Sequence, residues 1–126
     1  LAVKHFVPLL PKNERAVIAS LTARVGSISD NQLGGWYSYR ASKAALNMII
    51  RTLSIELERT HQKAICVGLH PGTVQTNLSR SFVKPHSSQK IFAPEEAAKN
   101  LLNVINTLKQ DQTGRLWDWQ GSEIHP

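Results

Sequence analysis

The sequence predicts an α/β fold: half of a doubly wound parallel sheet, with helices covering its faces. Two observations carry this expectation. Segments of helical periodicity alternate with short apolar runs, in the order helix, strand, helix, strand, helix, strand, and such alternation implies right-handed crossovers onto a parallel sheet. The runs at 16–21 (Ala-Val-Ile-Ala-Ser-Leu) and 64–69 (Ala-Ile-Cys-Val-Gly-Leu) are nearly continuous rather than alternating, the pattern of strands buried on both faces. Three strands are legible, with helices enough for one flank and part of the other.

Residues 1–10 fit a helix through Leu1, Val3, Phe6, Val7, Leu9 and Leu10. Pro11 ends it, because proline restricts the residue before it and interrupts helical hydrogen bonding. The chain opens inside this apolar pattern at Leu1 rather than at a methionine, with no signal or transit peptide. It therefore reads as a chain entered midway through a helix, a fragment. Lys12-Asn13-Glu14-Arg15 is a polar turn before the first strand, and residues 22–38 form a long loop holding Gly26, Gly34 and Gly35. A helix of roughly six turns then runs from Tyr37 to about Arg59. Its apolar positions Ala41, Ala44, Ala45, Met48, Ile49, Leu53 and Leu57 recur at helical spacing.

The second strand leads straight into a turn at 70–77. Residues 78–92 are polar without clean periodicity and read as a mobile loop, a candidate substrate lid. Pro94, Glu95 and Glu96 open the next helix, because proline and acidic residues are favoured in a first turn. It extends to about Lys109, with Ala97, Ala98, Leu101, Leu102, Val104, Ile105 and Leu108 as its expected buried stripe. Residues 113–119 read as a turn and a short strand, and 120–126 as a tail.

Composition narrows the function classes. The 126 residues are 41% hydrophobic, which suits one globular domain, and the longest apolar runs fall far short of the ~20 residues that span a bilayer. A net charge of +6 invites a nucleic-acid partner. The basic residues, however, are scattered from Lys4 to Arg115 without a dense run or aromatic interleaving, which argues against one. Positive potential would also suit a phosphate-bearing cofactor. A single cysteine, Cys66, excludes an internal disulfide and a Cys-based zinc site. Lying in an apolar run, it is expected to be a buried, inert thiol. His5, His61, His70, His86 and His125 show no metal-ligand spacing, so no metal site is expected.

The stretch that carries chemistry is Gly34-Gly-Trp-Tyr-Ser-Tyr-Arg-Ala-Ser-Lys-Ala-Ala-Leu-Asn47. Tyr39 and Lys43 are four apart, on one face of a helix. A phenol ordinarily ionises near pH ~10, and an adjacent ammonium favours the phenolate, toward the range in which a general acid works. Tyr39 could then exchange a proton with a carbonyl oxygen while Lys43 tunes it. A Tyr and a Lys at this spacing also occur on many surface helices as a solvated pair, so the surrounding residues must decide.

Tyr39-Arg-Ala-Ser-Lys43-Ala-Ala resembles the Tyr-x-x-x-Lys signature of the short-chain dehydrogenases/reductases. The loop Gly26-Ser-Ile-Ser-Asp-Asn-Gln-Leu-Gly-Gly-Trp-Tyr37 resembles their C-factor and Sniffer-like carbonyl reductase branch. The resemblance covers the whole chain and implies the C-terminal half of a Rossmann fold, its N-terminal βαβ units absent. It implies NAD(P)-dependent carbonyl reduction or alcohol oxidation on a small-molecule substrate, a cytoplasmic setting, and a homo-oligomer in the full-length protein, packed through the Tyr39 helix. Tyr39 and Lys43 would also bind the cofactor, Lys43 by hydrogen-bonding the nicotinamide ribose. Pro71-Gly72-Thr73-Val74-Gln75-Thr76 resembles the segment that packs on the nicotinamide, with an amide near Thr73 or Val74 and the Thr76 hydroxyl at the carboxamide end. The alternative is an ordinary Pro-Gly turn.

The chain departs from the family pattern at the catalytic serine. Aligned on Gly26, the Ser-Ser-x-x-Gly positions fall on Thr22 and Ala23, and alanine cannot donate a hydrogen bond. Thr22 or Ser27 is the expected substitute, Ser27 being slightly favoured; otherwise both satisfy turn backbone groups. The glycine-rich turn that cradles a pyrophosphate does not occur in these residues, nor does the side chain that would choose NADP or NAD. The stretch at 1–126 is thus expected to be the catalytic and nicotinamide half of a domain, inactive alone. The rival expectation is a non-catalytic product serving, if at all, as an interaction module through its open strand edge.

Overall fold

The computed structural model describes residues 2–79 and 90–126. Its main sheet has four strands: β1 (Ala16–Leu21), β2 (Ala64–His70), β5 (Leu116–Asp118) and β6 (Glu123–Ile124), ordered β1-β2-β5-β6. The first three are mutually parallel, with Ala16 beside Ala64 and His70 beside Asp118, and β6 turns back antiparallel on β5. A separate pair, β3 (Thr73–Val74) and β4 (Ile91–Phe92), is also parallel. Three α-helices accompany them: α1 (Ala2–Phe6), α2 (Tyr37–Thr60) and α3 (Pro94–Thr107). The α/β class, the parallel sheet and the central helix stand as the sequence reading placed them.

Alternation along β2 sends its residues to opposite faces. Ala64 and Cys66 meet Ile50, Leu53 and Leu57 of α2, together with Leu116 and Ile124. Val3, Val7 and Leu10, from α1 and the 3₁₀ turn after it, close that side. Ile65, Val67 and Leu69 face the other way, against Val104, Leu108 and Trp117. Each fully buried aliphatic side chain contributes roughly 1.5–3 kcal/mol, so β2, buried from Ala64 to Leu69, anchors both layers.

The sequence reading needs correction at several places. β1 packs on both faces, Ile18 toward one layer and Val17 toward the other, but is half-buried with Leu21 exposed rather than fully buried. The buried face of α2 is Asn47, Ile50, Leu53, Ser54 and Leu57, while Ala41, Ala45, Met48 and Ile49 are exposed. Two polar residues lie in that buried stripe because each is hydrogen-bonded: Thr22 donates to Asn47, and Ser54 donates to the Arg51 carbonyl at 2.7 Å. On α3, Ala97 and Val104 are buried, but Ala98 and Leu102 are exposed, since one sheet face cannot cover so wide a stripe. The tail contains β6, and the end of the expected 78–92 loop contains β4. The rest of the lid expectation, 80–89, lies outside the described residues. No helix among the described residues is long and apolar enough to cross a membrane.

Candidate active site

The site is assembled at the carboxyl ends of β1 and β2, where ligands bind in open α/β sheets. The turn into α2 is unusual. Gly34, Gly35 and Trp36 take consecutive positive φ values of 66°, 71° and 52°, and the left-handed region is sterically costly for a Trp. Arg40 holds this turn from the helix side. Its guanidinium donates to the carbonyls of Gly35 at 2.9 Å, Gly34 at 3.1 Å and Val25 at 3.3 Å. Sequence reasoning missed Arg40; its place one residue after Tyr39 was the available signal.

Tyr39 therefore stands in the first turn of α2, 44% exposed, its ring 6.3 Å from that of Trp36. Lys43, one turn on, extends its ammonium to the Leu21 carbonyl at the end of β1, 3.1 Å away. Gly26 makes this approach possible. A Cβ there would lie 2.8 Å from the Lys43 carbonyl carbon and 3.0 Å from the Ala44 nitrogen, so only glycine lets the loop lie flat on the helix backbone.

The two candidate hydroxyls have partners of their own. Thr22 is buried and donates to Asn47 Oδ1 at 2.5 Å. Ser27 is buried, donates to the His125 carbonyl, and accepts the Asp30 amide at 3.1 Å. Its place is thus where the loop meets the C-terminal tail. Asn47 was not anticipated; a polar residue four positions beyond Lys43, amid apolar helix positions, was the only sign of it.

Across the end of β2, Gly72 turns the chain at φ 79°. A Cβ there would meet Phe92 at 2.8 Å and Trp119 at 3.2 Å, so the Pro71-Gly72 turn rests directly on these rings, which meet edge-on at 4.6 Å. Thr73 and Val74 continue as β3 along β4, and the Gln75 amide donates to the Phe92 carbonyl at 2.9 Å. Thr76 closes a turn with Ser79, accepting its amide at 3.2 Å. Lys90 lies 4.9 Å over the Phe92 ring and 5.5 Å over that of Trp119, close enough for cation–π attraction. Phe92, Trp119 and Lys90 were not singled out as site residues from the sequence, because they lie far along the chain from Gly72 and come together with it only in the fold.

Charges gather beside this turn. Arg24 reaches Asp118 at 3.3 Å and Asp30 at 3.8 Å, and Asp118 also caps the β5–β6 turn by accepting the amides of Gln120 and Ser122. His70 is held below its ordinary value of 6.5, first by burial and then by Arg24, against the opposite pull of Asp118 and Asp30. The unfolded chain therefore takes up this proton first as pH falls. The contribution to stability is complete above about 6.5 and is lost as pH drops through the lower folded value. Thermal melts between about pH 8 and about pH 5 are expected to fall less steeply in His70→Gln than in wild type; equal slopes would contradict this. Burial pushes the Cys66 thiol up to about 11, which fits an inert thiol. Among the described residues, no group of His, Cys, Asp or Glu is placed to hold a metal ion.

Residues 1–87 match the family model for short chain dehydrogenases. The chain belongs to that family. It is 40% identical over 115 residues to 1-hydroxy-2-glutathionyl-2-methyl-3-butene dehydrogenase of Rhodococcus sp. (strain AD45), covering 91% of this chain and 48% of that protein. It is 36% identical over 107 residues to C-signal of Myxococcus xanthus, covering 85% and 59%. Among solved structures, carbonyl reductase Sniffer of D. melanogaster superposes with a TM-score of 0.82 at 29% identity, over 98% of this chain and 51% of that one. The NADPH-bound carbonyl reductase from chicken fatty liver superposes with a TM-score of 0.76 at 31% identity, over 88% and 43%. The chain thus spans about half the length of the short-chain dehydrogenases and reductases that it matches.

Proposed function

We propose that this chain is the catalytic and nicotinamide-binding half, residues 1–126, of a short-chain NAD(P)-dependent oxidoreductase that reduces small carbonyl compounds or oxidises the alcohols. The observation that carries the reading is the placement of Tyr39 and Lys43 one helical turn apart, with Lys43 tied to the end of β1 and the Pro71-Gly72 turn at the end of the adjacent β2. Nicotinamide, NADP or NAD, supplies or accepts the hydride when bound. Tyr39 gives the carbonyl oxygen its proton, or takes it back in the reverse direction. Lys43 binds the ribose, while Pro71, Gly72, Thr73, Val74 and Thr76 receive the nicotinamide end. Gly72 fits this role because a Cβ there would strike Phe92 and Trp119, so only glycine lets the turn settle on these rings and leave its other side to the nicotinamide. Thr22 and Ser27 are the proposed donors to the substrate oxygen; either must exchange its present acceptor, Asn47 or the His125 carbonyl, for that oxygen.

The same reading places the protein in the cytoplasm and makes it a homo-oligomer. The 126 residues contain no glycine-rich phosphate turn, so by themselves they are proposed to bind the cofactor poorly and to lack activity. Titrating NADPH and NADH into the 126-residue chain and into the intact protein, followed by tryptophan fluorescence, tests this. Binding is expected in the intact protein alone, and micromolar binding by the 126-residue chain would overturn the division of labour. A second reading, a non-catalytic interaction module, draws on the edge position of β1 and the exposed Leu21, Met48 and Ile49. It predicts an intact protein that binds neither cofactor.

A further inference from the structure

The first turns of α2 are fixed to the end of β1 by three contacts within one helical turn. Lys43 donates to the Leu21 carbonyl, Gly26 lies flat on the Lys43–Ala44 backbone, and Thr22 donates to Asn47. The third is a hydrogen bond between two buried side chains, and it continues the Tyr39, Lys43, Asn47 stripe at four-residue spacing. Asn47 is 8% exposed, and its Nδ2 is buried with no hydrogen-bond partner among the described residues. An unpaired buried N–H is costly and calls for an explanation, since a leucine would fill this helix position without that cost. The Thr22 amide in turn donates to the Leu69 carbonyl at 2.9 Å, so the side-chain bond links α2 to the β1–β2 ladder just before the Pro71-Gly72 turn.

Resting on the reading given under the proposed function, with Ser27 rather than Thr22 as the donor to the substrate oxygen, we infer that Asn47, through Thr22, is a positioning residue: it sets the distance between the Tyr39–Lys43 pair and the proposed nicotinamide turn at the end of β2. The unpaired amide is the cost of placing an acceptor where the threonine hydroxyl needs one.

The test compares Asn47→Leu, Thr22→Val, Thr22→Ser and the double variant Asn47→Leu/Thr22→Val in the intact protein. Asn47→Leu is expected to keep its melting temperature yet lose roughly tenfold to a hundredfold in kcat, because small misplacements of reacting groups cost that much. KM for the nicotinamide should change less, a split that a general loss of folding would not give. The double variant should lose no more than either single one, and Thr22→Ser should keep more of the rate than Thr22→Val. Wild-type kcat in Asn47→Leu, a lowered melting temperature with kcat and KM falling off together, or additive losses would each overturn the assignment. Tyr39→Phe measured alongside separates the two levels. Activity retained there removes the enzymatic reading itself; activity lost there but kept in Asn47→Leu removes only the role of Asn47.

Discussion

Tyr39→Phe in the intact protein is expected to lower carbonyl reduction by roughly 10²–10⁴-fold, the usual contribution of a positioned acid–base group. The substitution removes one hydroxyl and leaves the ring against Trp36, so the strained entry to α2 keeps its packing. Tyr39 is 44% exposed and lies outside both core clusters, so its stability change should stay within about 0.5 kcal/mol. KM for the cofactor should change less than kcat, because the Pro71-Gly72 turn proposed to receive the nicotinamide lies between β2 and β3. Steady-state rates together with a thermal melt decide the matter. A rate within a factor of a few of wild type would show that the phenol does not handle the proton.

Phe92→Ala should have the largest effect on stability, about 3–5 kcal/mol, as for other buried aromatics cut back to alanine. Phe92 is 1% exposed, meets Trp119 edge-on, underlies Gly72 and pairs through its backbone with β3. Its removal leaves the Pro71-Gly72 turn without a floor. Loss of stability by denaturant titration should therefore come with a raised KM for the nicotinamide, whereas Phe92→Leu should recover part of both. A stable Phe92→Ala protein with unchanged cofactor KM would show that this ring supports nothing at the site.

Why some of this was legible in the sequence, and some not, has a physical basis. Strand Ala16–Leu21 and helix Tyr37–Thr60 announced themselves because an apolar run and a 3.6-residue period are local signals. The spacing of Tyr39 and Lys43 and the turn at Pro71-Gly72 are local as well. What escaped was set by partners distant in sequence. The buried face of α2 is decided by which residues find partners, so Asn47 went inward and Met48 outward. β3 and β4 exist only as a pair, and two-residue strands carry no period to detect. Ser27 looked available until the tail came back to accept its hydrogen bond at His125. Arg40, likewise, is read as part of the site only once the carbonyls it holds are seen together.

The central claim is that the phenol of Tyr39 protonates an oxygen while hydride arrives at the adjoining carbon. Its most direct test supplies the intact protein with a reduced nicotinamide cofactor deuterated at the transferable position, NADPH or NADH, and a set of aldehydes and ketones. Mass spectrometry of the alcohol then reports where the label went. Deuterium on the carbinol carbon with the wild-type protein, and labelled alcohol formed at least about a hundredfold more slowly with Tyr39→Phe, is the predicted result. Unlabelled alcohol, or equal labelling by the variant, would contradict it.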